Sequence, residues 1–299
     1  MTSTTIGEPP VLAPPRTPTE RITRALNKAP VHLALGLIAL VWLLPTIGLF
    51  VTSFRPRSDI QNTGWWETFF AGLGVTLENY QLVLNNPQAD MLGAFINSVL
   101  ITVPSTLIPV VIASFAAYAF AWIDFPGRDT LFLAVIALLL IPIQMTLIPL
   151  SALYGALGFA GSFVPVWLTH ITFALPFGIF LLRNFFITLP KDLIEAARID
   201  GASSFGIFRN VVVPLSVPAL ASYAIFQFLW VWNDLLIALV FTRGDQAPMT
   251  VQITSLLGTY ASEWNLLAAA AFLVMAVPLI VFFSLQRFFV QGLLAGSVK

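Results

Sequence analysis

The chain has 299 residues, 58% of them hydrophobic and only 9% charged, with 26 Phe. Soluble domains carry about a quarter charged residues, so this composition excludes an ordinary soluble globule and points to an all-α integral membrane protein. Formal net charge is zero, which removes any global argument for nucleic acid, and zero Cys excludes a disulfide framework, thiolate chemistry and a cysteine metal site.

Residues 1–28 are rich in Pro and Thr and carry Arg16, Arg21, Arg24 and Lys28. No apolar block interrupts them, so they are expected to form a disordered basic tail and not a cleaved signal. His32 to Phe54 is uncharged and long enough for a first span, which needs about 20 apolar residues. Residues 55 to 92 are polar and broken by Gly, Pro and Asn. Trp65, Trp66, Phe69 and Phe70 suit either a water–lipid boundary or a small packed loop. Met91 to Ile123 is a second uncharged span, with Pro104 and Pro109 as expected kinks. Thr130 to Leu182 is too long for one crossing, and the Gly-rich run Gly155 to Ser162 divides it into spans over 130–152 and 164–182. Val217 to Phe241 gives a fifth span and carries Asp234. Trp264 to Phe289 gives a sixth, with Pro278 inside it.

Six spans place both termini on one side. With the N-terminus cytoplasmic, the inner segments hold 11 of the 14 Lys and Arg and the outer segments hold Arg55, Arg57 and Arg243. The positive-inside rule selects that orientation.

Between spans four and five lies the most polar stretch of the second half, with Lys191, Asp192, Glu195, Arg198, Asp200 and Arg209 close together. Charge between two membrane-length apolar runs belongs in water. Pro190 suits a helix start and Asp192 the first turn. Leu193, Ile194, Ala196, Ala197 and Ile199 give one apolar, small-residue side. Gly201 is the expected stop, Ser203 or Ser204 the cap of a second short helix, and Pro214 its end or kink. The reading is a helical knuckle on the cytoplasmic face.

Catalytic motifs are missing. No Gly-x-x-x-x-Gly-Lys, His-Glu-x-x-His or Gly-x-Ser-x-Gly occurs, so neither nucleotide binding by a phosphate loop nor hydrolase chemistry is expected. His32 and His170 lie far apart and are read as interface or packing residues, and no metal or other cofactor is expected. The spans hold almost no ionisable groups of the kind ion-coupled carriers need. Energy for uphill transport must therefore enter from outside the chain. The alternative is a self-sufficient carrier or channel for a small polar solute. Asp234, the lone acid inside a span, is read as lining a solute path or as stapling helices together. Asn97, Gln144 and Asn233 carry the same two readings.

Glu195-Ala196-Ala197, then Asp200-Gly201, then Pro214-Leu215, resembles the EAA loop of ABC importer permease subunits. Phe125-Pro126-Gly127-Arg128, Trp232-Asn233-Asp234 and the ending Ala295-Gly296-Ser297-Val298-Lys299 resemble the MalG-like, carbohydrate branch. Phe54-Arg55-Pro56 followed by Gly64-Trp65-Trp66 resembles permeases for α-glucosides. The likeness covers roughly residues 30 to 299. It implies the type I ABC importer transmembrane fold with six helices, in a bacterial inner membrane. The implied organisation is a cytoplasmic tail over 1–30, a permease domain over 31–290 with a coupling loop about 188–215, and a tail over 291–299. It further implies a non-catalytic subunit that works with a second homologous permease, an ATPase dimer and an extracytoplasmic sugar-binding protein. Glu195, Ala196, Ala197, Asp200 and Gly201 would then couple to the ATPase, and Gly296, Ser297 and Lys299 would reach it from the tail.

Overall fold

The computed structural model describes residues 18–70, 74–86, 90–259 and 263–295. Among these, all regular structure is helical. The chain divides into two compact units, residues 1–51 and 52–299.

The first unit is dominated by α1 (Pro18–Ser53). The helix starts well upstream of His32, the boundary expected from the loss of charge. A proline is tolerated in the first helical turn because its missing N–H has no intrahelical partner there. The stretch Ala29–Ser53 is apolar on all sides and almost wholly exposed, as suits a helix whose solvent is lipid.

The second unit is organised around α2 (Met91–Trp122), which the Asp90 carboxylate starts by accepting from the Gly93 N–H at 2.8 Å. This helix runs unbroken through Pro104 and Pro109, consistent with a hydrocarbon solvent that forbids unsatisfied backbone. A turn with Gly127 at φ 78° leads into α3 (Arg128–Ala137). Span three was expected to be one helix over 130–152. Instead the segments Arg128–Leu140 and α4 (Ile143–Ala156) meet at 96°. Pro142 explains the break: it lacks an N–H and forces Ile141 out of the helical region, to ψ 112°. α5 (Val164–Phe186) is continuous and packs along α2. After the knuckle helix α6 (Lys191–Ile199), the segment Ser204–Leu215 meets α7 (Val217–Trp232) at 77°.

Span five also differs from expectation. It stops at Trp232, and the short α8 (Leu236–Phe241) resumes after Asn233, Asp234 and Leu235. α9 (Met249–Thr259) precedes α10 (Trp264–Ala295), which packs on α7 through the Trp232 indole donating to the Val274 carbonyl at 3.1 Å. Among the described residues four helices are long and apolar enough to cross a membrane, and up to six spans result if each bent pair is one span. α10 passes the expected end at Phe289 and reaches Ala295. Gly296, Ser297 and Lys299 lie outside the described residues.

The segment after α1 is a packed loop. Arg55 is 1% exposed, yet among the described residues it meets no carboxylate. Its guanidinium donates to the carbonyls of Asp59 (3.1 Å) and Thr63 and to the Thr63 hydroxyl, at the C-terminal end of the helix Arg57–Asn62. That is the end whose dipole favours a cation. The Asn79 amide donates to the Ser53 and Arg55 carbonyls and accepts from Asn265 of α10. Trp66, Phe69 and Phe70 remain exposed on the outer edge of this packed loop.

Candidate functional site

α6 is nine residues long, follows Pro190 and carries Asp192 in its first turn. Its stop has a specific geometry. The Ala202 N–H reaches back to the Ala197 carbonyl (3.0 Å) and the Gly201 N–H to the Arg198 carbonyl (3.0 Å), with Gly201 at φ 79°. This is the paired 6→1 and 5→2 closure that needs a left-handed residue just past the helix. A Cβ at Gly201 would meet nothing within 4 Å, so the glycine is required for its backbone conformation and not for space. Ser203, not Ser204, then caps the next helix, its hydroxyl accepting from the Gly206 N–H. A π turn over Phe208–Val212 carries the chain to Pro214, and the bend comes at Ser216.

One side of α6 is rooted in the bundle. Ile194 is 1% exposed and shares an apolar cluster with Phe186, Leu189, Phe208 and Val212, with Ala197 packed beside it. Burial of such a side chain contributes roughly 1.5–3 kcal/mol. Arg198 adds a tether: its guanidinium donates to the Trp122 carbonyl at 2.9 Å, at the C-terminus of α2. The other side faces out. Asp192, Glu195, Ala196 and Ile199, at i, i+3, i+4 and i+7, are all exposed, with Ile199 86% exposed. Leu193 and Phe205 are exposed too. The single apolar side expected from sequence is thus divided: Ile194 and Ala197 face in, while Leu193, Ala196 and Ile199 face out. Among the described residues no ion pair involves Lys191, Asp192, Glu195 or Asp200. The outward side of this rooted helix thus carries an exposed stripe of acid, small residue and large aliphatic.

The opposite end of the bundle collects the other polar candidates. The Asn97 amide donates to the Asp245 (2.6 Å) and Ala247 carbonyls, and the neighbouring Ser98 hydroxyl accepts from the Met249 N–H. The Asn233 amide donates to the Leu229 carbonyl one turn back. The Asp234 carboxylate accepts from the Ala238 N–H (3.0 Å) and the Ile237 N–H (3.3 Å), capping α8, while its own carbonyl accepts from Thr250. Gln144 stands apart, exposed in the first turn of α4. The structure therefore gathers Asn97, Asn233 and Asp234 at one end, where they hold backbone, and leaves Gln144 separate.

Sequence reading did not find the side chain that stands beside Asp234. His170 on α5 is 1% exposed, its Nε2 lies 3.7 Å from Asp234 Oδ2, and its ring meets Trp230 edge to face at 5.0 Å. An acid at an interruption of an apolar run, followed within four residues by further apolar sequence, was the available signal for a helix cap. Nothing local pointed to His170.

Comparison with known proteins adds the following. The profile of a family described as "Binding-protein-dependent transport system inner membrane component" matches residues 24–294. The osmoprotective compounds uptake permease protein GgtD of Synechocystis is 55% identical over 286 residues, covering 94% of this chain and 95% of that protein. The alpha-glucoside transport system permease protein AglG of Rhizobium meliloti is 52% identical over 231 residues, covering 75% of this chain and 60% of the relative. Among solved structures, a chain of a bacterial ABC transporter involved in alginate import superposes with a TM-score of 0.70 at 21% identity, over 93% of this chain and all of the other.

Proposed function

The chain belongs to the family of binding-protein-dependent transport system inner membrane components and has the type I ABC importer transmembrane fold; from that premise we propose that it forms half of the pathway of an ATP-driven importer for a sugar or oligosaccharide of the α-glucoside class. The substrate class rests on the α-glucoside relative and on the Phe54-Arg55-Pro56 and Gly64-Trp65-Trp66 segments. The subunit does no chemistry on ATP or solute. Its partners are a second permease of similar fold, a cytoplasmic ATPase dimer and an extracytoplasmic sugar-binding protein.

The observation that carries this reading is the two-sidedness of α6. Ile194 and Ala197 fasten the helix to the bundle, and Glu195, Ala196 and Ile199 face away from it. A lever needs both properties: a contact surface for the motor and a stiff connection to the load. Closure of the ATPase pair moves α6, and the rooted contacts pass that motion to α2, α5 and α7. The excess of Lys and Arg in the knuckle-side segments supports a cytoplasmic knuckle, with both termini on the same side.

Reconstitution tests the reading. The permease pair with ATPase and binding protein is expected to accumulate radiolabelled maltose or trehalose in proteoliposomes only when ATP is supplied. Accumulation against a gradient by the permease pair alone would refute it.

A further inference from the structure

Trp66, Phe69 and Phe70 stand exposed at the edge of the packed loop, Phe70 by 87%. The Phe69 N–H reaches the Trp66 carbonyl (3.2 Å) at the start of the short helix Glu67–Phe70, so the three occupy i, i+3 and i+4, one side of a helical turn. The edge is held firmly. The Asn265 amide of α10 donates to the Asn79 side chain at 2.8 Å, and the Asn79 amide donates to the Ser53 and Arg55 carbonyls at 2.9 Å. Arg55 in turn donates to the Asp59 and Thr63 carbonyls, and Gly64 follows. A Cβ at Gly64 would stand 2.4 Å from Cζ2 of Trp66, so the indole lies across a stretch of backbone that only glycine leaves open. Trp65 meets Trp66 edge to face at 5.9 Å.

These bonds tie the edge to the first turn of α10, and the depth of that turn follows from length. The apolar stretch Trp264–Phe288 has 25 residues, about 37 Å at the helical rise. The hydrocarbon core is only about 30 Å thick. Glu263 and Asp90 stand immediately before α10 and α2, and charge belongs outside the hydrocarbon. Val83 of the loop, Met91 of α2 and Leu266 of α10 share one buried cluster, so both helices begin at the same level. Trp264 is exposed there, a residue type that favours the water–lipid boundary. The far end of α2 is the one that Arg198 of the knuckle holds. The aromatic edge is therefore at headgroup depth, opposite the knuckle.

We propose that Trp66, Phe69 and Phe70 insert at the headgroup–acyl boundary of the leaflet opposite the knuckle, mooring the loop and the ends of α2 and α10 that it holds to lipid. Rigid rings with one polar handle suit a layer that is apolar on one side and wet on the other. The acid of the same segment, Glu67, is already engaged, its Oε1 accepting from the Gly64 N–H at 2.9 Å. A soluble partner that docks and leaves fits less well. Its contact surface must stand in water between visits, and such surfaces are about as apolar as the rest of a protein, whereas this edge is three bulky rings in five residues. Lipid is present at that depth throughout.

The chain has no Cys, so Phe69→Cys and Phe70→Cys each give it a single thiol at an exposed position. Each is labelled with an environment-sensitive fluorophore in the full complex, built with cysteine-free partner subunits, in phosphatidylcholine–phosphatidylglycerol nanodiscs. The emission of both labels is expected to shift to the blue of the same fluorophore in water. Lipid carrying a nitroxide near its headgroup is expected to quench them more than lipid carrying one near the chain end. Adding the extracytoplasmic binding protein should change neither result. Water-like emission with no quenching by either lipid would overturn the proposal. A blue shift without lipid quenching would overturn it in favour of a neighbouring subunit as the occupant, and a shift that appears only with the binding protein would overturn it in favour of that protein.

Discussion

The two ends of the bundle place their polar residues in opposite ways. At the knuckle, Asp192, Glu195 and Asp200 face solvent, and the connection inward is made by Ile194, Ala197 and the single tether of Arg198. At the other end, Asn97, Ser98 and Asp234 turn inward and hold backbone groups of the segments that follow α7. Among the described residues the exposed acids of α6 make no ion pair. The inward polar groups are hydrogen-bonded, and their loss leaves buried donors or acceptors without partners. Functional damage at the exposed charges of the knuckle should therefore occur without loss of stability, and damage at the opposite end should follow stability.

The largest effect is expected where the knuckle is rooted. Ile194→Ala removes the buried contact that joins α6 to the bundle and should cost about 2–5 kcal/mol, with uptake lost as well, read by thermal unfolding in detergent and by transport. Glu195→Lys separates the two regions most cleanly. Uptake should fall about tenfold or more, while stability moves by no more than about 0.5 kcal/mol, the range for surface substitutions. At the other end, Asp234→Ala should cost about 0.5–2 kcal/mol by uncapping α8, with uptake falling only in step with stability, and Asp234→Asn should recover part of the loss. Gly201→Ala strains a left-handed position by about 1–2 kcal/mol and adds no clash, so thermal unfolding should show a loss of that size with uptake largely kept. A large uptake defect in Asp234→Asn at full stability would break the comparison, because it would give the buried end a direct role.

The knuckle was legible from sequence because its determinants are local. A proline start, an early acid, a glycine stop and a serine cap act within a few residues of one another, and Gly201 and Ser203 stand where that chemistry requires. The sides of α6 were legible only in part. Ile194 and Ile199 read alike in sequence, and only the tertiary cluster around Phe186 and Phe208 decides which is buried. The unbroken spans followed from length and apolar composition. The bends did not: Pro104 and Pro109 leave α2 continuous, whereas Pro142 divides span three, because neighbouring contacts decide whether a proline is absorbed. The break in span five escaped notice for a related reason. An acid in an apolar run reads as a buried functional charge until the free N–H groups of Ile237 and Ala238 are seen to need it. His170 stands beside Asp234 and Trp230 from a distant part of the sequence, and no spacing rule reaches across that distance.

The chain contains no Cys, so Ala196→Cys introduces a single thiol on the outward stripe of α6. In the assembled importer, with one cysteine placed on the surface of the ATPase subunit and a short bifunctional thiol reagent, this variant should form a crosslinked permease–ATPase product. Gln246→Cys, at the opposite end, should form none. A crosslink from Gln246→Cys, or no product from Ala196→Cys in a complex that still transports sugar with every engineered ATPase surface position tried, would contradict the claim that the chain takes its driving force at this helix.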